Sequence, residues 1–323
     1  MPQTKNLIIV IILMATSFGS GIFFSQKIKD NFSKENLDIY SKIEKREEGF
    51  TFINPLLECE YQISQGNTNL KDLNAATKKI VSQHPEEKIS LYYRDLSNGP
   101  WYGINENDNF APQSLLKLPL TISYIKISEN SSILNKKILY DKPIESNLKK
   151  EQDLELNKEY EVGFLIERVI VLSDNIAFNL LASNISDEYI KKTHDDLGIS
   201  YPSKDTPEDF ISVRSYSSIF RVLYNSSYLY RKNSEYLLNI LSQTEFKDGL
   251  VAGIPEGITV SHKFGILNKE NGDKQLHDCG IIYHPEKPYV LCVMTRGKNL
   301  DNLKTIIKEI SGTIYQVVDG ETK

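Results

Sequence analysis

Apolar residues recur at helical spacing shortly after the first fifth of the chain. Over residues 70–81 they fall near one face of a helix, at Leu70, Leu73, Ala76, Ile80 and Val81. Residues 88–96 and 101–104 then show strand character, and Ser97-Asn98-Gly99-Pro100 separates them with turn-forming residues. The pattern predicts one amphipathic helix followed by a β-hairpin.

The other end of the chain has the same mixture of strand and helix signals. Residues 258–264, 277–284 and 288–296 predict three strands, and residues 300–318 predict a closing helix. Residues 109–245 between the two ends are mostly helical in pattern and contain no repeat. This arrangement predicts an α+β fold, in which an antiparallel sheet flanked by helices lies beside an all-helical subdomain at about 109–245.

The hairpin around His284 and Lys287 predicts a register. If these two residues face each other, counting outward places Cys279 opposite Cys292. A cross-strand disulfide is one interpretation of this pair. We favour two free thiols that pack as small apolar core residues.

The first residues of the chain differ in character from the rest. Residues 6–26 form a stretch of 21 residues without charge, which as a helix would span about 30 Å, the thickness of a bilayer core. No small-x-small cleavage site is clear, so the pattern favours an uncleaved signal anchor over a cleaved signal peptide. We therefore predict an N-terminal transmembrane helix or signal at 1–26, a stalk or linker at 27–67, and one folded domain at 68–323.

Composition excludes some partners. The 323 residues carry a formal net charge of -5 and contain no basic run, which argues against nucleic acid. None of the five histidines has metal-ligand spacing, so we expect no metal. Strand alternation points His262 away from any cleft that the neighbouring Lys263 faces, and we interpret it as structural.

Three short motifs carry the candidate chemistry. They are Ser114-Leu115-Leu116-Lys117, Ser173-Asp174-Asn175 and Lys263-Phe264-Gly265. Residues three apart on a helix share a face, so Ser114 and Lys117 can point into one cleft. A serine hydroxyl needs a base to become a good nucleophile. A lysine amine can be that base if burial or nearby positive charge lowers its pKa, and Lys263 would supply such charge.

These motifs, in this order, resemble those of the penicillin-recognising serine hydrolases, and most closely the class A β-lactamases. The resemblance covers roughly residues 68–318. It implies a β-lactamase/transpeptidase-like fold and a serine enzyme that needs no cofactor. The implied roles are nucleophile for Ser114, base for Lys117, proton relay for Ser173, support of lysine and substrate for Asn175, and positive charge for Lys263. The implied oxyanion hole is formed by the backbone N–H groups of Ser114 and Ile266.

Substrate contacts are also implied by the resemblance. Gly265 belongs to the motif that borders the substrate, and Tyr140 matches an aromatic residue at the cleft rim or has a packing role. The family has a threonine or serine where this chain has Phe264, so one expected donor to the substrate carboxylate is lost. Arg296 could replace it, or could be a solvated strand end.

A second departure concerns the loop before the next helix. The family carries a Glu-x-x-Leu-Asn pattern whose glutamate positions the deacylating water, and residues 198–210 lack it. Glu208 and Asp209 are the nearby carboxylates, and we expect them to begin the next helix rather than act as base. The sequence thus predicts an acyl-enzyme that forms with a β-lactam or a peptidoglycan-derived peptide and deacylates slowly. Two alternative functions stay open: a carboxypeptidase or esterase, and a binding module without turnover.

We expect the protein to be a monomer that is anchored in the membrane, with its folded domain outside the cytoplasm.

Overall fold

The computed structural model describes residues 49–54, 70–97, 99–143, 154–269 and 272–321. Apart from Gly49, all of them belong to one compact unit. The predicted membrane span at residues 6–26 lies outside this set. Within the set, no helix is both long enough and apolar enough to cross a bilayer.

The described elements follow the predicted order of strands, helices and strands. The helices are α1 (Leu70–Gln83), α2 (Lys117–Ser128), α3 (Val162–Val171), α4 (Asn175–Ser183), α5 (Asp187–Leu197), α6 (Val213–Tyr224), α7 (Arg231–Ser242) and α8 (Leu300–Glu321). The strands are β1 (Lys88–Asp95), β2 (Trp101–Ile104), β3 (Lys137–Leu139), β4 (Glu159–Glu161), β5 (Val260–Asn268), β6 (Lys274–Ile282) and β7 (Tyr289–Gly297). The short β3–β4 sheet, inside the mostly helical region, was not predicted.

Five strands form one antiparallel sheet in the order β2-β1-β7-β6-β5. Alternate residues of each strand enter different cores, because side chains in a strand point to opposite faces. Leu91 packs with α1 and α8 in one core, whereas Tyr92 packs with the helices of the middle region in the other. The predicted α+β architecture is confirmed, and β5 is an outer strand that borders the helical region.

The predicted register of the β6–β7 hairpin is confirmed, since Cys279 lies directly opposite Cys292. The preference for free thiols is wrong, because the two cysteines form a disulfide. Both side chains are fully buried on the same face of the sheet. Their cross-strand pairing brings the sulfur atoms together, which the apolar character of the site did not indicate.

Strand β5 is longer than predicted. It runs through Gly265 to Asn268, whereas the sequence pattern suggested an end at Phe264. A Cβ at Gly265 would lie 3.0 Å from the carbonyl oxygen of Pro112 and 3.3 Å from Leu115 Cγ. The glycine therefore marks a close approach between β5 and another chain segment, not the end of a strand.

Part of the predicted stalk is packed against the domain. The Glu235 carboxylate accepts hydrogen bonds from the backbone N–H groups of Thr51, Phe52 and Ile53, at 2.6, 2.8 and 3.0 Å. Ile53 is buried, and the Phe52 ring packs edge-on against Tyr283. Residues 50–54 thus belong to the folded unit, and the other residues of the predicted stalk at 27–67, apart from Gly49, lie outside the described set.

The disulfide predicts a thiol count. The chain has three cysteines, so denatured, unreduced protein should take up one alkyl group, at Cys59. Reduction before alkylation should raise the uptake to three. Intact mass and peptide mapping of both samples measure this, and three groups without reduction would contradict the disulfide.

Candidate active site

Ser114 lies in a tight turn that leads directly into a helix. Residues Gln113–Leu116 form a 3₁₀ turn, and α2 begins at Lys117. Residues three apart eclipse each other in a 3₁₀ turn, which agrees with the predicted shared face. Ser114 and Lys117 both line a cavity of about 370 Å³. The residue before the serine, Gln113, has a φ of 49°, a left-handed conformation that costs a non-glycine residue energy and is frequent at functional sites.

Lys117 is held at the bottom of this cavity by three oxygen atoms. Its Nζ donates to the carbonyl oxygen of Ser173 at 2.5 Å and to Asn175 Oδ1 at 2.6 Å, and it lies 3.2 Å from Ser173 Oγ. A neutral amine has two N–H groups and one lone pair. If the two carbonyl-type oxygens receive the two N–H groups, the lone pair remains for the proton of a hydroxyl. The surroundings of Lys117 therefore suit a general base.

The Ser173 hydroxyl connects the two lysines. Lys263 Nζ donates to Ser173 Oγ at 2.9 Å and to the Phe264 carbonyl oxygen at 3.2 Å, and the whole side chain is buried. Burial, and then the charge of Lys117, hold the pKa of Lys263 well below its ordinary value, while Asp278 opposes this. Two ammonium groups around one hydroxyl repel each other. This repulsion favours a state in which one of the two amines is neutral. The contacts also allow a proton to pass between the lysines through the Ser173 hydroxyl.

Asp174 fixes the loop that carries Ser173 and Asn175. Its carboxylate caps α4 by accepting the Ala177 N–H at 3.0 Å, and it accepts a hydrogen bond from Arg168 Nε on α3 at 2.6 Å. Asp174 is nearly fully buried. Ser173 itself has a φ of 58°, and a strained conformation of this kind persists only where its surroundings enforce it. The sequence motif indicated a polar loop but not this capping role of Asp174.

The two elements expected to form the oxyanion hole are in contact. Because Gly265 has no side chain, β5 packs against the turn that carries Ser114. The backbone N–H groups of Ser114 and Ile266 belong to these two elements. Their roles as oxyanion donors stay predictions that depend on this close approach.

Glu208 is part of the cavity wall, and its expected place at the start of a helix is wrong. Helix α6 begins at Val213, and Ser212 caps it by accepting the Ser215 N–H at 3.2 Å. Glu208 lies before the cap and lines the cavity with Ser114, Lys117 and Asn175. Its carboxylate accepts a hydrogen bond at 2.5 Å from Lys269, which follows the end of β5. This ion pair connects the segment before α6 to the β5 side of the cleft.

Asp209 is also far from a helix-capping role, and it binds Arg296. The two side chains form an ion pair, and Gln275 also donates to the Asp209 carboxylate, at 3.3 Å. Burial alone would raise the pKa of Asp209, but the hydrogen bonds from Arg296 and Gln275 outweigh it, so the pKa is lowered. The role of Arg296 as a donor to a substrate carboxylate stays a prediction, and its Nη2 atom already binds a protein carboxylate.

Tyr140 and His262 lie in the interior. Tyr140 packs in the core of the helical region and is not among the described residues that line the cavity, which agrees with the packing alternative. His262 is fully buried, and its Nδ1 lies 2.8 Å from Asp278 Oδ1. Its interpretation as a structural residue pointing away from the cleft agrees with this position.

Four aromatic or acidic neighbours of the site were not predicted from the sequence. Phe178 and Phe210 line the cavity, and Phe246 stacks on Phe264 with ring centroids 4.3 Å apart. Asp278 influences Lys263 from β6. Only the position of Phe178, one helical turn after Asn175 on α4, provided a local signal for such a contact. Among the described residues, no group of three His, Cys, Asp or Glu side chains is arranged to hold a metal ion.

Comparisons with known proteins agree with this geometry. The model of a family described as "Beta-lactamase enzyme family" matches residues 72–318. The structure of PBP-A is similar at a TM-score of 0.67 and 22% identity, over 78% of this chain and 97% of that one. A mutant of PBP-A in an acyl-enzyme complex with penicillin G is similar at a TM-score of 0.68 and 22% identity, over 78% of this chain and 97% of that one. A beta-lactamase from Chitinophaga pinensis is similar at a TM-score of 0.67 and 17% identity, over 76% of this chain and 99% of that one. At these identities the likeness establishes the fold, and no curated protein matches the chain significantly.

The contacts of Lys117 predict the effect of one substitution. Lys117→Arg keeps a positive charge but removes the base, because a guanidinium does not lose its proton near neutral pH. Acylation of Ser114 by a fluorescent penicillin should become slower by about 10²–10⁴-fold. The rate of labelling measures this, with Lys192→Arg, an exposed residue of α5, as the matched control. Acylation of Lys117→Arg at nearly the wild-type rate would eliminate Lys117 as the base.

Proposed function

The chain belongs to the beta-lactamase enzyme family, and on that basis we propose that it is a serine acyl-transfer hydrolase of the class A-like group. It forms an acyl-enzyme with β-lactams, with Ser114 as the nucleophile. The observation that carries the proposal is the hydrogen-bonded set of Lys117, Ser173 and Lys263 beside Ser114. A module that only bound its ligand would not need a base beside a serine hydroxyl.

Acylation follows from the contacts of these residues. Lys117 takes the hydroxyl proton of Ser114, whose oxygen attacks the carbonyl carbon of the amide. The negative charge on the carbonyl oxygen is stabilised by the N–H groups of Ser114 and Ile266. The amide C–N bond then breaks, and the leaving nitrogen takes a proton from Ser173 Oγ, which regains one from Lys117 or Lys263. The result is an ester on Ser114.

The proposal includes the membrane. Residues 6–26 serve as an uncleaved single-pass anchor that keeps the domain on the extracytoplasmic side of the cell membrane. Support comes from the length and the lack of charge of this stretch. The binding of the Thr51, Phe52 and Ile53 N–H groups by Glu235 attaches this part of the predicted stalk to the domain. The protein acts as a monomer on small molecules.

A second candidate activity follows from the short segment before α6. Residues 198–210 lack the glutamate pattern that positions a deacylating water, and the Glu208 carboxylate is engaged by Lys269. Slow release of the acyl group is typical of a D-alanyl-D-alanine carboxypeptidase or related esterase cleft, or of a module that captures antibiotic or wall fragments. The lifetime of the acyl-enzyme distinguishes these activities from efficient β-lactam hydrolysis.

The nucleophile can be tested directly. Wild-type protein should be labelled covalently by a fluorescent penicillin, and Ser114→Ala should show no labelling because the attacking oxygen is gone. Ser131→Ala, an exposed serine after α2, is the matched control and should label normally. Peptide mapping of the adduct identifies the modified residue, and an adduct elsewhere would refute the assignment.

Deacylation should be slow. Without a positioned general base, hydrolysis of the ester loses the ~10²–10⁴-fold that such a base typically contributes, so the penicillin adduct should persist for minutes or longer. Time-resolved intact mass measures its decay in wild type and in Glu208→Gln, with Glu155→Gln as control because Glu155 is exposed and paired with Lys158. Rapid decay that only Glu208→Gln abolishes would identify Glu208 as the base and the protein as an efficient β-lactamase.

A further inference from the structure

We infer that the acyl donor of this protein has an uncharged, apolar leaving group, which Phe264 and Phe246 recognise in place of a carboxylate. The inference rests on the proposed function and names its substrate class: esters and amides that lack a negative charge beside the scissile bond. It also implies that penicillins, which carry such a carboxylate, are slow acyl donors here.

Phe264 lies close to the group that protonates the leaving group in the proposed reaction. In that reaction the leaving group takes its proton from Ser173 Oγ, and Lys263 Nζ is 2.9 Å from that oxygen. The same Nζ lies 4.3 Å from the centroid of the Phe264 ring. Ser173 Oγ and the Phe264 ring therefore contact the same lysine amine, and Phe264 occupies the position where the family resemblance implies a hydroxyl.

Phe264 is not an isolated substitution. Its ring stacks on Phe246 at 4.3 Å between centroids, with 22° between the ring planes. Both residues are only partly buried. Together they form a partly exposed aromatic pair beside the lysine that contacts Ser173. Such a surface gains free energy by covering apolar groups and offers a carboxylate no hydrogen bond.

The cations near this end of the cleft are already engaged. Lys263 is fully buried, and its hydrogen bonds go to Ser173 and Phe264. Arg296 forms an ion pair with Asp209, whose pKa is lowered, so the pair persists at neutral pH. A substrate carboxylate would have to share Arg296 with a protein carboxylate of the same charge, and a carboxylate that finds no partner is costly in a partly buried site.

The negative charge of Glu208 on the cavity wall also disfavours an anionic substrate. Glu208 lines the cavity of Ser114 and carries a carboxylate that is half exposed, at 52% of its side-chain surface. Its partner Lys269 balances one negative charge and leaves none for a ligand. The described surroundings of Ser114 thus favour a neutral acyl donor over an anionic one.

Two matched esters test the inference. Both carry the same N-(phenylacetyl)glycyl acyl group; the leaving group is phenol in one and 3-hydroxybenzoate in the other. In each case the Ser114 oxygen forms the new ester bond, the bond between the acyl carbon and the phenolic oxygen breaks, and the phenol leaves with the proton. The release of phenol and the mass of the acyl-enzyme give the acylation rates, which are corrected for spontaneous hydrolysis in buffer.

Wild type should acylate at least about tenfold faster with the neutral ester, because burying an unpaired carboxylate is unfavourable. Phe264→Thr should reduce or reverse this preference, since a hydroxyl can donate to the carboxylate. Phe264→Leu, which stays apolar, should keep it. Tyr189→Thr, at an exposed residue of α5, is the matched aromatic-to-threonine control and should behave as wild type.

Asp209→Asn provides a second, independent variant if changes at Phe264 disturb folding. It removes the charge that holds Arg296, so the carboxylated ester should gain in rate relative to the neutral one. A wild-type protein that prefers the carboxylated ester, or a ratio unchanged in both Phe264→Thr and Asp209→Asn, would overturn the inference while leaving the proposed function intact. Failure of both esters and of penicillin to acylate Ser114 would instead refute the proposed function itself.

Discussion

The site depends on the convergence of two buried lysine amines on one serine hydroxyl. Lys117 and Lys263 come from a helix and from an outer strand, and Ser173 Oγ lies within 3.2 Å of both Nζ atoms. Burying an ammonium is expensive, and two adjacent ammonium groups also repel each other. The low pKa of Lys263 is a consequence of this burial and repulsion. The two lysines in the cleft therefore bind fewer protons than two free lysines would. An amine that lacks a proton can accept one from Ser114.

This convergence requires rigid attachment of three separate segments. Asp174 connects α3 to α4, because it binds Arg168 on α3 and caps the N-terminus of α4. Breaking a buried ion pair of this kind typically costs about 3–5 kcal/mol. Gly265 lets β5 reach the turn before α2. The unusual backbone conformations of Gln113 and Ser173 occur at the points where these segments meet. The energy of packing elsewhere maintains a geometry that these residues would not adopt alone.

The sequence predicted the elements that have strong periodicity and the residues whose chemistry depends on local spacing. Helix α1, the β1–β2 hairpin and the Cys279–Cys292 register are of this kind. The errors involve partners that are remote in sequence. Glu208 and Asp209 have the composition of a helix start, but Lys269 and Arg296 bind them from the sheet. The glycine within β5, at Gly265, corresponds to a close approach by Pro112 and Leu115, some 150 residues earlier. No pattern within a single segment carries that information.

The departures from the family pattern have a common physical direction. Replacing a strand hydroxyl by Phe264 removes a donor, and the Asp209–Arg296 pair withdraws a cation. The shortened segment before α6 brings Glu208, rather than a longer loop, to the wall of the Ser114 cavity. We infer that each change lowers the affinity for an anionic ligand, whereas Lys117 and Lys263 both keep their contacts to Ser173. Nucleophile activation and substrate recognition therefore lie on separate sets of residues. A serine hydrolase of this fold can change the charge of its acyl donor without changing how its serine is activated.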